Sequence, residues 1–407
     1  DEGRARTVTV TATAEDGTPP SADDESPVHP TRYRTLEPMR TIVAHSDLVD
    51  TLDAARNILE QCEKQLDGAR PRGGLLFTTT EYDHAAILAE IDVRWPGLPL
   101  IGASSAGEVS SQLGYRTDSV CLTLLCGDEF EVRAGNGLDS SVDLARALED
   151  VVACLGDARP ALAIVHCPGT VGNPSDVIRL LHERLGERAC PIVGGLAGDH
   201  AVTTDTRQFF GREVNYDSIS VMFLCGELSV SWGVASGWFP IGARHRVTRS
   251  VGNKIFEIDD KPAVDIYQSF WGDRVKGDMG EFPLAVTYGD GPDDFVLRAA
   301  MAIDEKEGSV TFAGDVPEGS VVSLTEVVPE GLLSGAETSA HRAISRYRGK
   351  KPDLALLFSC AARQWVLGSK AADEVRHLNR ALSEAGLAGI DFSGFYAFGE
   401  ICPLEAE

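Results

Sequence analysis

The sequence is poor in positive charge. Lysine and arginine total 37 against 62 aspartate and glutamate residues, which gives a formal net charge of −25. A negative field of this size repels phosphate backbones and anionic lipid headgroups. The sequence also has no apolar run that approaches the roughly 18 residues typical of a membrane-spanning helix. We therefore predict that neither nucleic acid nor a membrane is a partner of this chain.

Closely spaced metal-binding or redox motifs are also missing. The nine cysteines include no Cys-x-x-Cys pair, and the nine histidines show no His-Glu-x-x-His spacing. Without such spacing, we predict no metal site. Scattered thiols in a chain with a large core are typical of reduced cysteines in a cytoplasm rather than of a disulfide framework. The cysteines lie at positions 62, 121, 126, 154, 167, 190, 225, 360 and 402.

The length and composition indicate a folded chain of two or three domains. The 407 residues are 43% hydrophobic and 24% charged, which are globular values. Residues 1–39 differ, because they contain five of the 20 prolines and little periodic apolar sequence. We predict a disordered tail over residues 1–39, in which the alternation from Thr7 to Thr11 is a weak strand signal.

One unit of sequence occurs at least twice and, in part, a third time. The unit reads strand, helix, a second strand that ends in a glycine-rich turn, and a third strand. Short buried strands in this order pair into sheets with the helices packed on them. The copies begin at strands 75–77, 161–165 and 353–358, and their turns lie at 102–108, 194–199 and 394–400.

The fold class follows from these units and from a change of pattern after them. Between about 282 and 326 the sequence becomes a series of short alternating runs with Gly and Asp turns, which predicts antiparallel hairpins. We therefore predict an α+β or mixed α/β fold. It consists of internally repeated strand-helix-strand units, sheets flanked by helices, and an antiparallel hairpin region.

The turn from Gly102 to Gly107 resembles a phosphate-binding loop in spacing but not in charge. Such a loop cradles phosphate with backbone amides and adds a lysine. Here Glu108 follows instead, and a carboxylate in that position repels phosphate. No Gly-x-Gly-x-x-Gly dinucleotide motif occurs in the chain. We predict no nucleotide or other cofactor.

Two residues are candidate nucleophiles for an acyl or amide transfer. Ser104 is one glycine short of a Gly-x-Ser-x-Gly nucleophile elbow. Cys360 ends an apolar strand three residues before Arg363, and a nearby cation lowers the pKa of a thiol. The other interpretation is structural: the small residues let backbones pass closely, and Cys360 is a buried thiol near an ion pair or ligand anchor. The sequence leaves both interpretations open.

Polar residues collect where the repeated strands end, which is where ligands bind in open α/β sheets. Carboxylates with an arginine, hydroxyls and free loop amides suit a small zwitterion better than a polyanion. The alternatives are that Glu108, Asp199 and Glu400 merely cap turns, and that Trp232 and Trp238, two candidate pocket walls, belong to the core. The predicted ligand-binding residues are Ser104, Ser105, Gly107, Glu108, Gly195, Asp199, Cys360, Arg363, Tyr396 and Glu400.

The same stretches resemble the FIST family, the F-box and intracellular signal transduction proteins. Their order and spacing cover roughly residues 41 to 403. The resemblance implies a FIST N-terminal domain over residues 40–245 and a FIST C-terminal domain over residues 246–407. The resembling stretches are 99–109, 193–199, 234–242, 251–263, 358–363 and 394–401.

The resemblance implies a cytoplasmic sensory module of signal transduction that binds small ligands such as amino acids. The sequence shows no kinase or cyclase signature, so we expect it to signal through a partner protein or through homo-oligomerisation. We expect the ligand to lie in a cleft formed by the turns at 104–108 and 195–199 with Arg363 and Glu400. Binding would then shift the relative arrangement of two halves of the chain.

Overall fold

The structure is a computed structural model that describes residues 7–14, 38–170, 172–200, 205–272, 281–291 and 294–404. Within the predicted disordered tail, Thr7–Ala14 form strand β1, so the prediction is wrong for this stretch. The alternating Thr-Val pattern was the correct signal there. Most of the rest of the predicted tail lies outside the described residues, namely residues 1–6 and 15–37.

Twenty-five strands and eight helices make up the part of the chain that the structure describes. The elements up to β14 are β1 (Thr7–Ala14), β2 (Arg40–Ser46), α1 (Thr51–Leu66), β3 (Pro71–Thr78), α2 (His84–Arg94), β4 (Leu100–Ser104), β5 (Glu108–Ser110), β6 (Gly114–Arg116), β7 (Val120–Cys126), β8 (Phe130–Leu138), α3 (Leu144–Ala153), β9 (Pro160–Cys167), α4 (Pro174–Leu185), β10 (Ile192–Leu196), β11 (Gln208–Phe210), β12 (Glu213–Asn215), β13 (Ser218–Gly226) and β14 (Leu228–Ala235). The later elements are β15 (Trp238–Val251), β16 (Lys254–Ile258), β17 (Lys261–Pro262), α5 (Ala263–Trp271), β18 (Leu284–Thr287), β19 (Phe295–Arg298), β20 (Ala300–Asp304), β21 (Ser309–Phe312), β22 (Val321–Val327), α6 (Pro329–Arg346), β23 (Leu354–Cys360), α7 (Ala361–Leu367), α8 (Ala371–Glu384), β24 (Asp391–Ala397) and β25 (Glu400–Ile401).

Three of the four sheets are built alike, which confirms the repeated units. The first sheet has the order β12-β11-β4-β3-β7-β2, the second β25-β10-β9-β13-β8, and the third β14-β1-β23-β24-β5-β6. Each contains one parallel pair, β3 with β4, β9 with β10, or β23 with β24, and antiparallel strands on both sides of it. One helix connects the two strands of the first two pairs, and α7 and α8 together connect β23 with β24, which is the usual form of a crossover between parallel strands.

The three sheets exchange strands. The strand after each glycine turn leaves its own sheet and pairs with another: β5 joins β24 in the third sheet, β11 joins β4 in the first, and β25 joins β10 in the second. Glycine is needed where the second strand of each unit passes the first. A Cβ added at Gly102, Gly194 or Gly394 would lie 2.0, 2.0 or 1.9 Å from a backbone carbonyl oxygen of the neighbouring strand.

The fourth sheet contains the predicted hairpins. Its order is β19-β18-β22-β15-β16-β21-β20, and every pairing in it is antiparallel. It has its own core around Tyr267 and Phe312, whose ring centroids are 6.0 Å apart. The alternating sequence between 282 and 326 therefore folds as predicted.

The inner faces of the three similar sheets meet in one apolar core. At its centre Phe77 of the first sheet stacks on Phe395 of the third, with ring centroids 4.5 Å apart. His166 of the second sheet and Phe358 of the third complete this aromatic cluster. Helices cover the outer faces. No helix within the described residues is long and apolar enough to cross a membrane.

Candidate ligand site

The glycine turns of the three repeats come together, as the sequence predicts. Ser104 Oγ donates to the carbonyl oxygen of Gly198 at 2.8 Å, and Gly198 N donates to the carbonyl oxygen of Ser104 at 2.8 Å. Ala106 N donates to the carbonyl oxygen of Tyr396 at 2.9 Å, and Tyr396 N donates to that of Gly107 at 2.8 Å. The first turn is thus bonded to both of the others.

The predicted ligand-binding residues are buried in the described structure. Among those with side chains, Cys360 is the most exposed, and its exposed fraction is only 4%. Gly195 is also buried, and a Cβ there would lie 2.9 Å from the ring of Phe395 and 3.0 Å from Ala397 Cβ. These residues therefore do not line an open cleft. The buried set is Ser104, Ser105, Gly107, Glu108, Gly195, Asp199, Cys360, Arg363, Tyr396 and Glu400.

Glu108 belongs to a closed polar network. Its two carboxyl oxygens each accept a hydroxyl hydrogen, one from Ser105 and one from Ser119. Ser119 Oγ also lies 2.8 Å from His45 Nε2, and His45 Nδ1 lies 2.7 Å from Ser110 Oγ. Burial raises the pKa of Glu108 well above its usual value and lowers the pKa of His45 to about 4. The chain itself thus satisfies these groups, without a ligand.

Arg363 forms a second buried network, with a partner that the sequence analysis missed. Its Nε and Nη2 atoms lie 2.7 and 2.6 Å from Glu374 Oε1. Ser359 and Tyr396 donate hydroxyl hydrogens to the same carboxylate. Glu374 lies on the buried face of α8, at helical spacing from Leu378. A charged residue on that apolar face was the signal that could have identified it.

The geometry does not support Cys360 or Ser104 as a nucleophile. Burial, followed by the charge of Glu400, raises the pKa of the Cys360 thiol well above its usual value, and the opposing charge of Arg363 does not offset this. Ser104 Oγ donates to the carbonyl oxygen of Gly198 and accepts from Arg207 N at 2.9 Å, and neither partner is a general base. Both residues fit the structural interpretation.

A groove lies next to the Arg363 network, where β14 leads into β15 over the start of α6. It encloses about 210 Å³. Trp238 and Phe295 form its apolar wall, and its polar side chains include Ser334, Thr338 and Arg342. Trp238 is thus a groove wall as well as a buried residue, whereas Trp232, the other predicted wall residue, lies in the apolar core and does not line this groove. Arg342 carried no signal in the sequence because it lies in an ordinary amphipathic helix.

The groove is joined to Arg363 through the backbone. Ser236 lines the groove, and its carbonyl oxygen accepts a hydrogen bond from Arg363 Nη1. Arg363 Nη2 donates to the carbonyl oxygen of Leu332 at 2.7 Å, one residue after the groove residue Gly331. A molecule in the groove would therefore lie one backbone layer from the buried Arg363–Glu374 pair.

In the part of the chain that the structure describes, two groups of three side chains have the atom types that bind metal ions. Glu81, Asp118 and His200 form one, and Glu337, His341 and Glu384 the other, with the potential ligand atoms of each within 4.8 Å of one another. Each group contains two carboxylates. Of these four, Glu337 is partly buried and the other three are exposed. Exposed acidic groups of this kind are common without a metal, so we assign no metal to either.

Comparison with known protein families finds two consecutive domains along the chain. Residues 73–261 match the FIST N domain, and residues 263–403 match the FIST C domain. The chain is also 25% identical over 388 residues to an uncharacterized protein of Mycobacterium tuberculosis, an alignment that covers 90% of this chain and 95% of the relative.

Two shorter similarities extend the comparison to other species. An uncharacterized protein of Mycobacterium bovis is 26% identical over 226 residues, 52% of this chain and 56% of the relative. One of Methanocaldococcus jannaschii is 25% identical over 216 residues, 50% of this chain and 41% of the relative. Because the two domain matches together span nearly all of the chain after residue 72, it belongs to the FIST family, whose domains are sensory domains of signal transduction considered to bind small ligands.

Proposed function

We propose that this protein is a cytoplasmic sensor that binds an amino acid or a similar small metabolite in the groove between Trp238 and α6. The observation that carries the proposal is the contact between the groove and the buried network, because Ser236 lines the groove and also accepts from Arg363. Of the residues predicted from sequence, Arg363 and Tyr396 then lie beneath the ligand rather than against it.

The composition of the groove supports a small ligand with a carboxylate. Arg342 supplies a positive charge, Ser334 and Thr338 supply hydroxyls, and Trp238 offers an aromatic surface to an apolar side chain. The volume of about 210 Å³ is below the roughly 300–1,000 Å³ of pockets that hold drug-sized ligands. An amino acid is of a suitable size.

The buried network offers a route from the groove to the three turns. Glu374 holds Arg363 on one side and the hydroxyl of Tyr396 on the other. The backbone of Tyr396 is bonded in turn to Ala106 and Gly107 of the first repeat. A ligand that displaces Ser236 would change the arrangement of these bonds, and a signalling partner or a second copy of the chain would read the result.

A thermal-unfolding screen of the purified chain against the amino acids tests the proposal. A ligand at a hundredfold excess over its Kd stabilises the folded state by about 2.7 kcal/mol, so a selective rise in Tm is expected. Arg342→Ala is expected to weaken binding about tenfold or more, whereas Arg179→Ala, on the exposed face of α4, is the matched control. The absence of any selective shift at millimolar concentrations would contradict the proposal.

The enzyme alternative makes a different prediction for Cys360. Because burial raises the pKa of this thiol, iodoacetamide at neutral pH is expected to modify it more slowly than it modifies glutathione. The rate is measured by mass spectrometry of the peptide that contains Cys360, so the other eight thiols do not interfere. Faster modification than glutathione would restore Cys360 as a candidate nucleophile.

A further inference from the structure

The strand exchange creates two junctions that are equivalent in the backbone but differ in their side chains. In the first junction, Glu108 on β5 meets Ser119 just before β7. In the second, Gln208 on β11 meets Ser218 at the start of β13. The equivalence follows from the register, because Glu108 pairs with Phe395 and Gln208 with Ala103, each one residue after the close-packed glycine of its strand.

The next strands extend the equivalence. In the first sheet Cys121 of β7 pairs with Phe77 on one side and His45 on the other. In the second sheet Ser220 of β13 pairs with His166 and Asn136 in the same way. Asn136 therefore takes the place of His45, and His166 takes the place of Phe77. The second junction consists of Gln208, Ser218, Ser220, Asn136 and His166.

The first junction is complete without any added molecule. Both oxygens of Glu108 accept hydroxyl hydrogens, and both ring nitrogens of His45 have serine partners at 2.7 and 2.8 Å. In the second junction, Gln208 Oε1 accepts from Ser218 N at 3.2 Å. Five other polar atoms there have no hydrogen-bond partner within the described residues: Gln208 Nε2, Ser218 Oγ, Ser220 Oγ, Asn136 Oδ1 and His166 Nε2.

These five atoms are shielded from bulk water. The side chains of Gln208, Ser218, Ser220 and His166 are fully buried, and Asn136 is partly buried. An unsatisfied polar group in the interior costs about 1–3 kcal/mol, so five dry ones would cancel much of the stability of a domain. Neighbours across strands have Cβ atoms about 5 Å apart, a separation that one bridging water spans.

The chemistry of the five atoms selects an uncharged partner that both donates and accepts. His166 Nδ1 faces the carbonyl oxygen of Gly195 at 3.2 Å, so Nδ1 donates and Nε2 is left as an acceptor. Burial lowers the pKa of His166 to about 4, which keeps the ring neutral near pH 7. Asn136 Oδ1 is a second acceptor and Gln208 Nε2 a donor, and neither side chain is charged.

We propose that the second junction is a binding site for hydroxyl groups of small uncharged molecules, filled by ordered water or by a short polyol in place of water. The occupant joins β11 of the first sheet to β8, β9 and β13 of the second, where the first junction uses direct bonds. The site is separate from the groove beside Trp238. The contact between the two sheets at this junction therefore depends on the molecule that is bound there.

Paired serine substitutions test the proposal by urea unfolding. Ser119→Ala removes direct bonds to Glu108 and His45 and is expected to raise the unfolding equilibrium constant about tenfold or more. Ser218→Ala in a hydrated junction is expected to change it by less than about threefold, because water replaces the hydroxyl. If Ser218→Ala instead lowered the constant about tenfold, the junction would be dry and the proposal wrong.

Crystals of the full chain grown in plain buffer, and then soaked in ethylene glycol, identify the occupant. Water density within hydrogen-bond distance of at least three of the five atoms supports the proposal, and diol density in its place after the soak shows that a polyol also binds. A junction that contains no density, or in which the five atoms bond to one another, would overturn the proposal. His166→Phe gives this position the same residue as Phe77, its equivalent in the first sheet. The variant is expected to lose the water that bonds to His166 Nε2 in the wild type.

Discussion

Gly394→Ala is expected to abolish folding of the chain. A Cβ at this position would lie 1.9 Å from the carbonyl oxygen of Leu357 and 2.8 Å from Leu357 Cβ. Neither strand can move aside, because β23 and β24 are paired along their whole length in the middle of the third sheet. Close-packed interiors do not absorb an overlap of this size, and losses above about 4 kcal/mol arise from such causes.

The yield of soluble protein and urea unfolding followed by circular dichroism check this result. Gly102→Ala and Gly194→Ala are expected to behave in the same way, since a Cβ at either would lie 2.0 Å from a backbone oxygen. Gly74→Ala is the control in the same sheet as Gly102, because its nearest neighbour is a side-chain atom of Leu98 at 3.3 Å. A folded Gly394→Ala variant as stable as the control would refute the common architecture of the three sheets.

Arg363→Met is expected to cost about 3–5 kcal/mol of the free energy of unfolding, because it leaves the carboxylate of Glu374 buried without its cation. The remaining hydroxyl donors, Ser359 and Tyr396, do not replace a positive charge. Adding Glu374→Gln to this variant removes the uncompensated charge. The double variant is therefore expected to regain part of the loss.

Urea unfolding of the wild type, both single variants and the double variant measures the coupling of the pair. Arg179→Ala is the matched control, since this arginine pairs with Asp176 and Glu183 on an exposed helix face and is expected to leave stability unchanged within error. If Arg363→Met resembled that control, the Arg363–Glu374 pair would not hold the third repeat together. The proposed route from the groove to the turns would fail with it.

The order of elements made the repeated architecture predictable. Strand, helix and glycine turn are local features, so the two complete copies and the partial third could be read from their own residues. The exchange of β5, β11 and β25 between sheets could not, because strand pairing over long separations leaves no local pattern. For the same reason, the strand Thr7–Ala14 was assigned to a tail, although it pairs with β14 and β23.

The candidate site was predictable in part. The sequence correctly predicted that the turns around Ser104, Gly198 and Tyr396 lie together, because the ends of repeated strands meet. It did not show that Arg363 has its partner within the chain. A charged residue type alone does not tell whether the opposite charge comes from a ligand or, as here, from Glu374.

The groove was even harder to predict from the sequence. It forms because α6 crosses the chain at Gly237, where a Cβ would lie 2.4 Å from the carbonyl oxygen of Gly331. Its lining combines residues from both of the family regions, such as Trp238 and Arg342, which lie 104 positions apart. Only the aromatic character of Trp238 offered a hint.

Hydrogen exchange with and without the amino acid that raises Tm most strongly tests the central claim most directly. The account predicts slower exchange at Ala106 and Tyr396, whose amides connect the turns, when the ligand occupies the groove. The amides of α4, none of whose residues lines the groove, serve as the internal reference. The contradicting result is a ligand whose binding depends on Arg342 but which changes the exchange rates of Ala106 and Tyr396 no more than those of α4. Such a ligand would contradict the claim that this chain is a sensor.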